Sequence, residues 1–117
     1  MHTALKHLTF DPEPTTLPAD PTSFSFLARL IAEPTDGPGE ESFDLTVCSP
    51  EWLAVRCRQQ GIVDARHHLV VNADDFDQQQ LRSWLDSRVR RAQGGSWSEI
   101  GEKLSRLGHR EFEDYNG

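Results

Sequence analysis

The sequence predicts an α+β fold: a small, mostly antiparallel sheet of about four strands, with about three helices packed on one face. Three observations lead there. Short apolar or alternating runs dominate the chain up to Cys48, which is strand periodicity. Between positions 76 and 107 the apolar residues recur at spacings of three and four, which is helix periodicity. Strands grouped early and helices grouped late favour α+β over a parallel βαβ layout. The 117 residues fit one domain, 1–117. A chain of this length buries roughly 65% of its unfolded surface, enough for one core.

The first ten residues read as an extended segment carrying Leu5, Leu8 and Phe10, ended by Asp11-Pro12. Pro12, Pro14, Pro18 and Pro21 forbid a helix over 11–23 and mark a surface loop. Phe24 to Ile31 is apolar enough to lie inside a sheet. Glu33-Pro34-Thr35-Asp36-Gly37-Pro38-Gly39 is turn-forming. Phe43, Leu45 and Val47 then alternate with Ser42, Asp44, Thr46 and Cys48, giving one apolar and one polar face. The two runs predict an antiparallel hairpin with a long loop.

Ser49-Pro50 opens a helix, with Ser as N-cap and Pro at the first helical position, where its missing N–H costs nothing. Trp52, Leu53 and Val55 give it apolar surface and Gly61 stops it. A strand is expected at about 66–72, leading into Asp74-Asp75, acids that suit a helix N-terminus. A helix over about 76–92 carries Leu81, Trp84, Leu85, Val89 and Ala92 on one stripe, and Gly94-Gly95 breaks it. Ser96-Trp97-Ser98-Glu99 is a capping box for a last helix with Trp97, Ile100, Leu104 and Leu107 on one face. The tail from His109 to Tyr115 reads as extended and docked through Phe112 and Tyr115.

Charge narrows the partners. Nineteen acidic against twelve basic residues give a net charge of -7. Nucleic acid is a poor partner for such a chain, because phosphate binding needs a basic surface. An anionic membrane is disfavoured for the same reason. A basic protein is the natural complement. No apolar run approaches the ~20 residues of a membrane span. The first eight residues lack a signal-peptide core, and Cys48 and Cys57 make no disulfide framework, so the expected location is the cytoplasm.

Catalytic patterns are missing from the sequence. His67 and His68 would point to opposite faces of a strand, so they do not share a metal ion, and no cofactor is expected. Cys48, placed before a helix N-terminus, is the one candidate nucleophile, and buried structural cysteine is the commoner reading. Glu40-Glu41, Asp74-Asp75, Glu111 and Glu113 sit in a turn, at a helix start and in a tail, where carboxylates are usually solvated. If the tail is extended, Glu111, Glu113 and Tyr115 share one face, a plausible protein-binding edge.

Three ordered blocks carry a resemblance. The first runs Glu40-Glu41-Ser42-Phe43-Asp44-Leu45-Thr46-Val47-Cys48-Ser49-Pro50-Glu51-Trp52-Leu53. The second is Gly61 to Val71, with Arg66-His67-His68-Leu69-Val70-Val71. The third is Ser96 to Tyr115, ending Glu111-Phe112-Glu113-Asp114-Tyr115. Together they resemble the immunity protein 8 family, found beside bacterial polymorphic toxins. That family usually has Trp where this chain has Arg110.

The resemblance implies an immunity protein that binds and neutralises a cognate protein toxin, and not an enzyme. Charge adds the expectation of occlusion: an acidic surface covering a basic active site or groove, as on a nuclease. The residues expected to make the contact are Glu40, Glu41 and Asp44, with Glu111, Glu113 and Tyr115 from the tail. The alternatives are a regulatory binding module with a different partner and a small Cys48-dependent enzyme.

Overall fold

The alternation at Phe43, Leu45 and Val47 becomes the centre of the sheet in the computed structural model, which describes residues 1–13 and 22–110. Those three side chains are at most 2% exposed. The elements in order are β1 (Thr3–Asp11), β2 (Ser25–Pro34), β3 (Glu41–Cys48), α1 (Pro50–Gln60), β4 (His68–Val70), α2 (Gln78–Arg91), α3 (Trp97–Leu104) and β5 (His109–Arg110). The sheet runs β1-β2-β3-β4, with β5 also paired to β3. The expected α+β class, with a mostly antiparallel sheet, is what forms.

β1, β2 and β3 are antiparallel neighbours, and their register stacks one apolar face. Phe26 pairs with Val47, Ala28 with Leu45, and Leu30 with Phe43, while Leu8 and Phe10 of β1 extend the rows. The opposite face carries Arg29, Asp44 and Thr46. β2 continues to Pro34, through the first residues read as turn. At Pro34, among the described residues, β1 alone pairs with β2, through Thr3, so a proline without an N–H is tolerated there.

The sheet is not wholly antiparallel. β3 and β4 are parallel, joined by α1 and its loop, a connection long enough for the crossover that a parallel pair needs. The expected strand at 66–72 is reduced to three residues. His67 stands outside it at φ 63, where a non-glycine residue costs backbone energy. That conformation is held from two sides: the His67 carbonyl accepts from the Thr46 N–H at 2.9 Å, and the His67 ring lies 2.7 Å through Nε2 from the Ser105 carbonyl. A carbonyl only accepts, so Nε2 carries the proton.

Helices α2 and α3 close the apolar face. Leu81, Leu85 and Val89 of α2 and Ile100 and Leu104 of α3 join one buried cluster with the sheet. The helix-stripe reading holds except at Trp84, which is 41% exposed. Asp77, rather than Asp74 or Asp75, caps α2, accepting from the Gln79 and Gln80 N–H groups. The start is set by Phe76, which packs against Phe24 and Phe26 at ring-centroid distances of 5.5 and 5.9 Å and so fixes where the helix can begin. In α3 the Ser96 half of the capping box forms as expected, accepting from the Glu99 N–H, while the Glu99 carboxylate accepts from the Gly95 N–H and not from that of Ser96.

Helix α1 differs from the other two. Its N-cap is Ser49, as expected, and Gly61 ends it at φ 81, yet none of its residues is buried. Trp52 and Leu53 are half-buried and Val55 is exposed. The Trp52 ring sits 6.3 Å from the ring of His68. What anchors the helix is its cap. Ser49 is fully buried, and its Oγ accepts from both the Trp52 N–H at 3.3 Å and the Phe24 N–H at 3.1 Å. One hydroxyl therefore starts α1 and ties it to the beginning of β2.

Ser49→Ala leaves two backbone donors without an acceptor, one of them buried. It is expected to lower unfolding stability by about 2 kcal/mol, read as a shift in the urea midpoint at unchanged slope. A shift no larger than that of an exposed control such as Ser83→Ala would show the double contact to be unimportant.

Candidate partner-binding surface

The acids that the sequence places at the hairpin are already paired within the chain. Glu40 meets Lys6 across the sheet at 2.6 Å, with both groups in solvent. The bond and the opposite charge raise the Lys6 pKa and lower that of Glu40. Asp44 is held bidentate by Arg29, its direct cross-strand partner, at 2.9 and 3.0 Å. Glu41 is held bidentate by Arg110 at 2.9 and 2.6 Å. Only this last pair is secluded, with both side chains 12% exposed. Glu111, Glu113 and Tyr115, the other expected contact residues, lie outside the described residues.

The Arg110–Glu41 pair explains a glycine. A Cβ on Gly101 of α3 would come within 2.6 Å of the Arg110 Cζ. Gly101 is itself buried, so the guanidinium lies flat against the helix where any side chain would displace it. A planar cation that donates two parallel hydrogen bonds fits such a slot.

The candidate nucleophile is ill suited to its role. Cys48 is fully buried and burial pushes its thiol pKa up, opposite to the shift that makes a reactive cysteine. Cys57 is exposed on α1, and neither cysteine is in a disulfide. His67 and His68 diverge, one toward Ser105 and the other toward Trp52. Among the described residues no group of three or more His, Cys, Asp or Glu side chains could hold a metal ion. Among them, too, no helix is long and apolar enough to cross a membrane.

A surface that the sequence reading missed lies between β4 and the N-terminal half of α2. Leu69, Val70, Val71, Phe76, Leu81 and Trp84 line a groove of about 450 Å³, with Asn72, Asp75, Asp77 and Gln80 on its walls. Val70 and Trp84, 46% and 41% exposed, are among the few large apolar side chains left in water. Trp84 was assigned to the core stripe on spacing alone. The signal that could have separated it is its place at the stripe's margin, flanked by Arg88, whose guanidinium lies 5.1 Å from the indole centroid.

Comparison with known families bears on all of these residues. The family model described as Immunity protein 8 matches residues 4–115 of the chain. The chain belongs to that family. No curated protein and no solved structure gives a significant match. Within this member of the immunity protein 8 family, Arg110 takes the place beside Gly101 of α3. It fills the place with a charge, which the secluded Glu41 carboxylate balances.

Two expectations test this description. Glu41→Gln removes the carboxylate that holds the secluded Arg110 guanidinium bidentate and should destabilise the protein by about 2 kcal/mol. Glu40→Gln, on an exposed pair, should change stability far less. Equal effects in chemical denaturation would contradict the difference in seclusion. In the native protein at neutral pH, iodoacetamide should modify Cys57 and leave Cys48 intact until denaturant is added, as read by peptide mass spectrometry. Rapid modification of Cys48 would reopen the nucleophile reading.

Proposed function

We propose that this protein acts in the cytoplasm as a non-catalytic inhibitor, binding a cognate toxin in a stoichiometric complex and covering its active site or substrate groove. The observation that carries the reading is the match of the immunity protein 8 family over residues 4–115. The net charge of -7 supports a basic partner, and a nuclease with a basic cleft is the toxin class whose chemistry fits best. The burial of Cys48 weighs against the alternative of a Cys48-dependent enzyme.

The hairpin acids enter this proposal unequally. Glu40 and Asp44 pair with side chains that are 42% and 44% exposed. Exposed pairs contribute about 0–1 kcal/mol, so an arginine or lysine of the toxin exchanges for Lys6 or Arg29 at little cost. Glu41 is different. Breaking its secluded pair would cost two charge-assisted hydrogen bonds to Arg110, so it serves the fold and leaves the contact to Glu40, Asp44 and the tail residues Glu111, Glu113 and Tyr115.

The test is co-expression with the toxin encoded in the neighbouring reading frame, followed by purification of the complex. Protection from the toxin and a one-to-one complex are the expected results. Affinity should fall at least tenfold between about 50 and 300 mM salt, because the attraction between exposed charges is screened within about a Debye length. Absence of protection rejects the immunity function. Protection with salt-independent affinity rejects the acidic-surface mechanism alone.

A further inference from the structure

The two free sides of the sheet are not equivalent. β1 is the edge on one side, and it is obstructed. Its register shifts between Leu5 and His7, and Arg82 of α2 donates to the outward Leu8 carbonyl at 3.2 Å. The Arg82 guanidinium also covers the Phe10 ring at 4.6 Å. A bulge, a lysine in the bulge and an arginine that occupies an edge carbonyl are devices that stop a strand from pairing with another chain.

β4, on the other side, is only three residues long, and among the described residues no bulge or side chain covers its outward backbone. The Thr46 N–H donates to the His67 carbonyl, and the Val71 N–H donates to the Cys48 carbonyl. Backbone groups in a strand alternate in direction, so those of Val70 turn the other way, toward the outside of the sheet. Among the described residues no strand pairs there. That open backbone borders the groove lined by Val70, Val71, Phe76 and Trp84.

The rim supplies a sign. Asp74, Asp75 and Asp77 follow the strand within a few residues, and no cation among the described residues pairs with any of them. Asp77 accepts the two N–H groups at the start of α2, and Asp75 accepts from Asn72 at 3.2 Å. The hairpin acids Glu40, Glu41 and Asp44 each have an internal cation. Carboxylates with no ion-pair partner among the described residues thus border an apolar groove and an unpaired backbone, with Arg88, over the Trp84 ring, as a neighbouring cation.

We infer that this groove is a docking site for an extended, basic segment of the toxin. The segment adds to the Val70 edge through its backbone, seats one apolar side chain against Trp84 and Phe76, and presents lysine or arginine to Asp74 and Asp75. This is strand addition, in which backbone bonds give affinity and alternate side chains give specificity. Trp84 is the anchor, a large side chain held on a rigid helix. The inference rests on the immunity reading for the identity of the partner, and not for the chemistry of the groove.

The chemistry is tested without the toxin. The ¹⁵N-labelled full chain is titrated with a nine-residue peptide alternating valine and lysine, blocked at both ends, and with its counterpart carrying glutamate for lysine. The lysine peptide should shift the Val70 and Val71 amides and the Trp84 indole N–H saturably, and the glutamate peptide should not. Trp84→Ala, and separately the double change Asp74→Lys with Asp75→Lys, should each weaken the lysine peptide at least tenfold while the circular dichroism spectrum is retained. No saturable shift, shifts centred elsewhere, or equal binding of the two peptides overturns the docking site. In cells making the toxin, a protective wild type with equally protective variants also overturns it and leaves the immunity function standing. A wild type that fails to protect rejects the immunity function, and the peptide titration still decides the groove.

Discussion

The structure depends on one strand being paired along both edges. β3 supplies Phe43, Leu45 and Val47 to the core, and β2 pairs it along eight residues. Its other edge is divided: β4 pairs with Thr46 to Cys48 in parallel, and β5 pairs with Phe43 and Asp44 antiparallel. Neither short strand would be stable alone, since isolated pairs of this length are marginal in water. Each is held by side chains from elsewhere. His67 braces the start of β4 against the turn after α3, and Arg110 braces β5 through Glu41. The place of β4 and β5, and of the groove beside β4, follows from how that edge is filled.

Much of this was legible in the sequence. The β3 alternation, the Ser49-Pro50 helix start, the Ser96 cap and the α2 stripe are local signals, and each element forms within a few residues of its expected place. What local signals could not supply was pairing at long range. The parallel β3–β4 contact and the three-residue length of β4 depend on where a crossover lands. His67 leaves the strand because Thr46 and Ser105 bind it there, and neither is near it in sequence.

The site was less legible than the fold. Carboxylates stand out in a sequence, but whether a cation sits beside them does not. Glu40, Glu41 and Asp44 look alike along the chain, yet three different partners leave them in three different states. Gly101 carries no signal at all until Arg110 is placed against it. The groove beside β4 was hidden for a related reason. It needs Val70 at a sheet edge, Trp84 at the margin of a helix stripe and Phe76 in an aromatic cluster, and the helix spacing assigned Trp84 to the core.

The divided edge of β3 also has a consequence for the order of synthesis. Glu41 and Arg110 are 69 residues apart in the chain. At about 5–20 residues per second, the ribosome delivers the second roughly 3–14 seconds after the first. During that interval β1, β2 and β3 can already form their meander, with an apolar face uncovered and the far edge open to any passing strand. The strand that completes this edge is therefore made seconds after the meander it closes, and through those seconds the open edge of β3 is the part of the nascent chain most prone to pair with another strand.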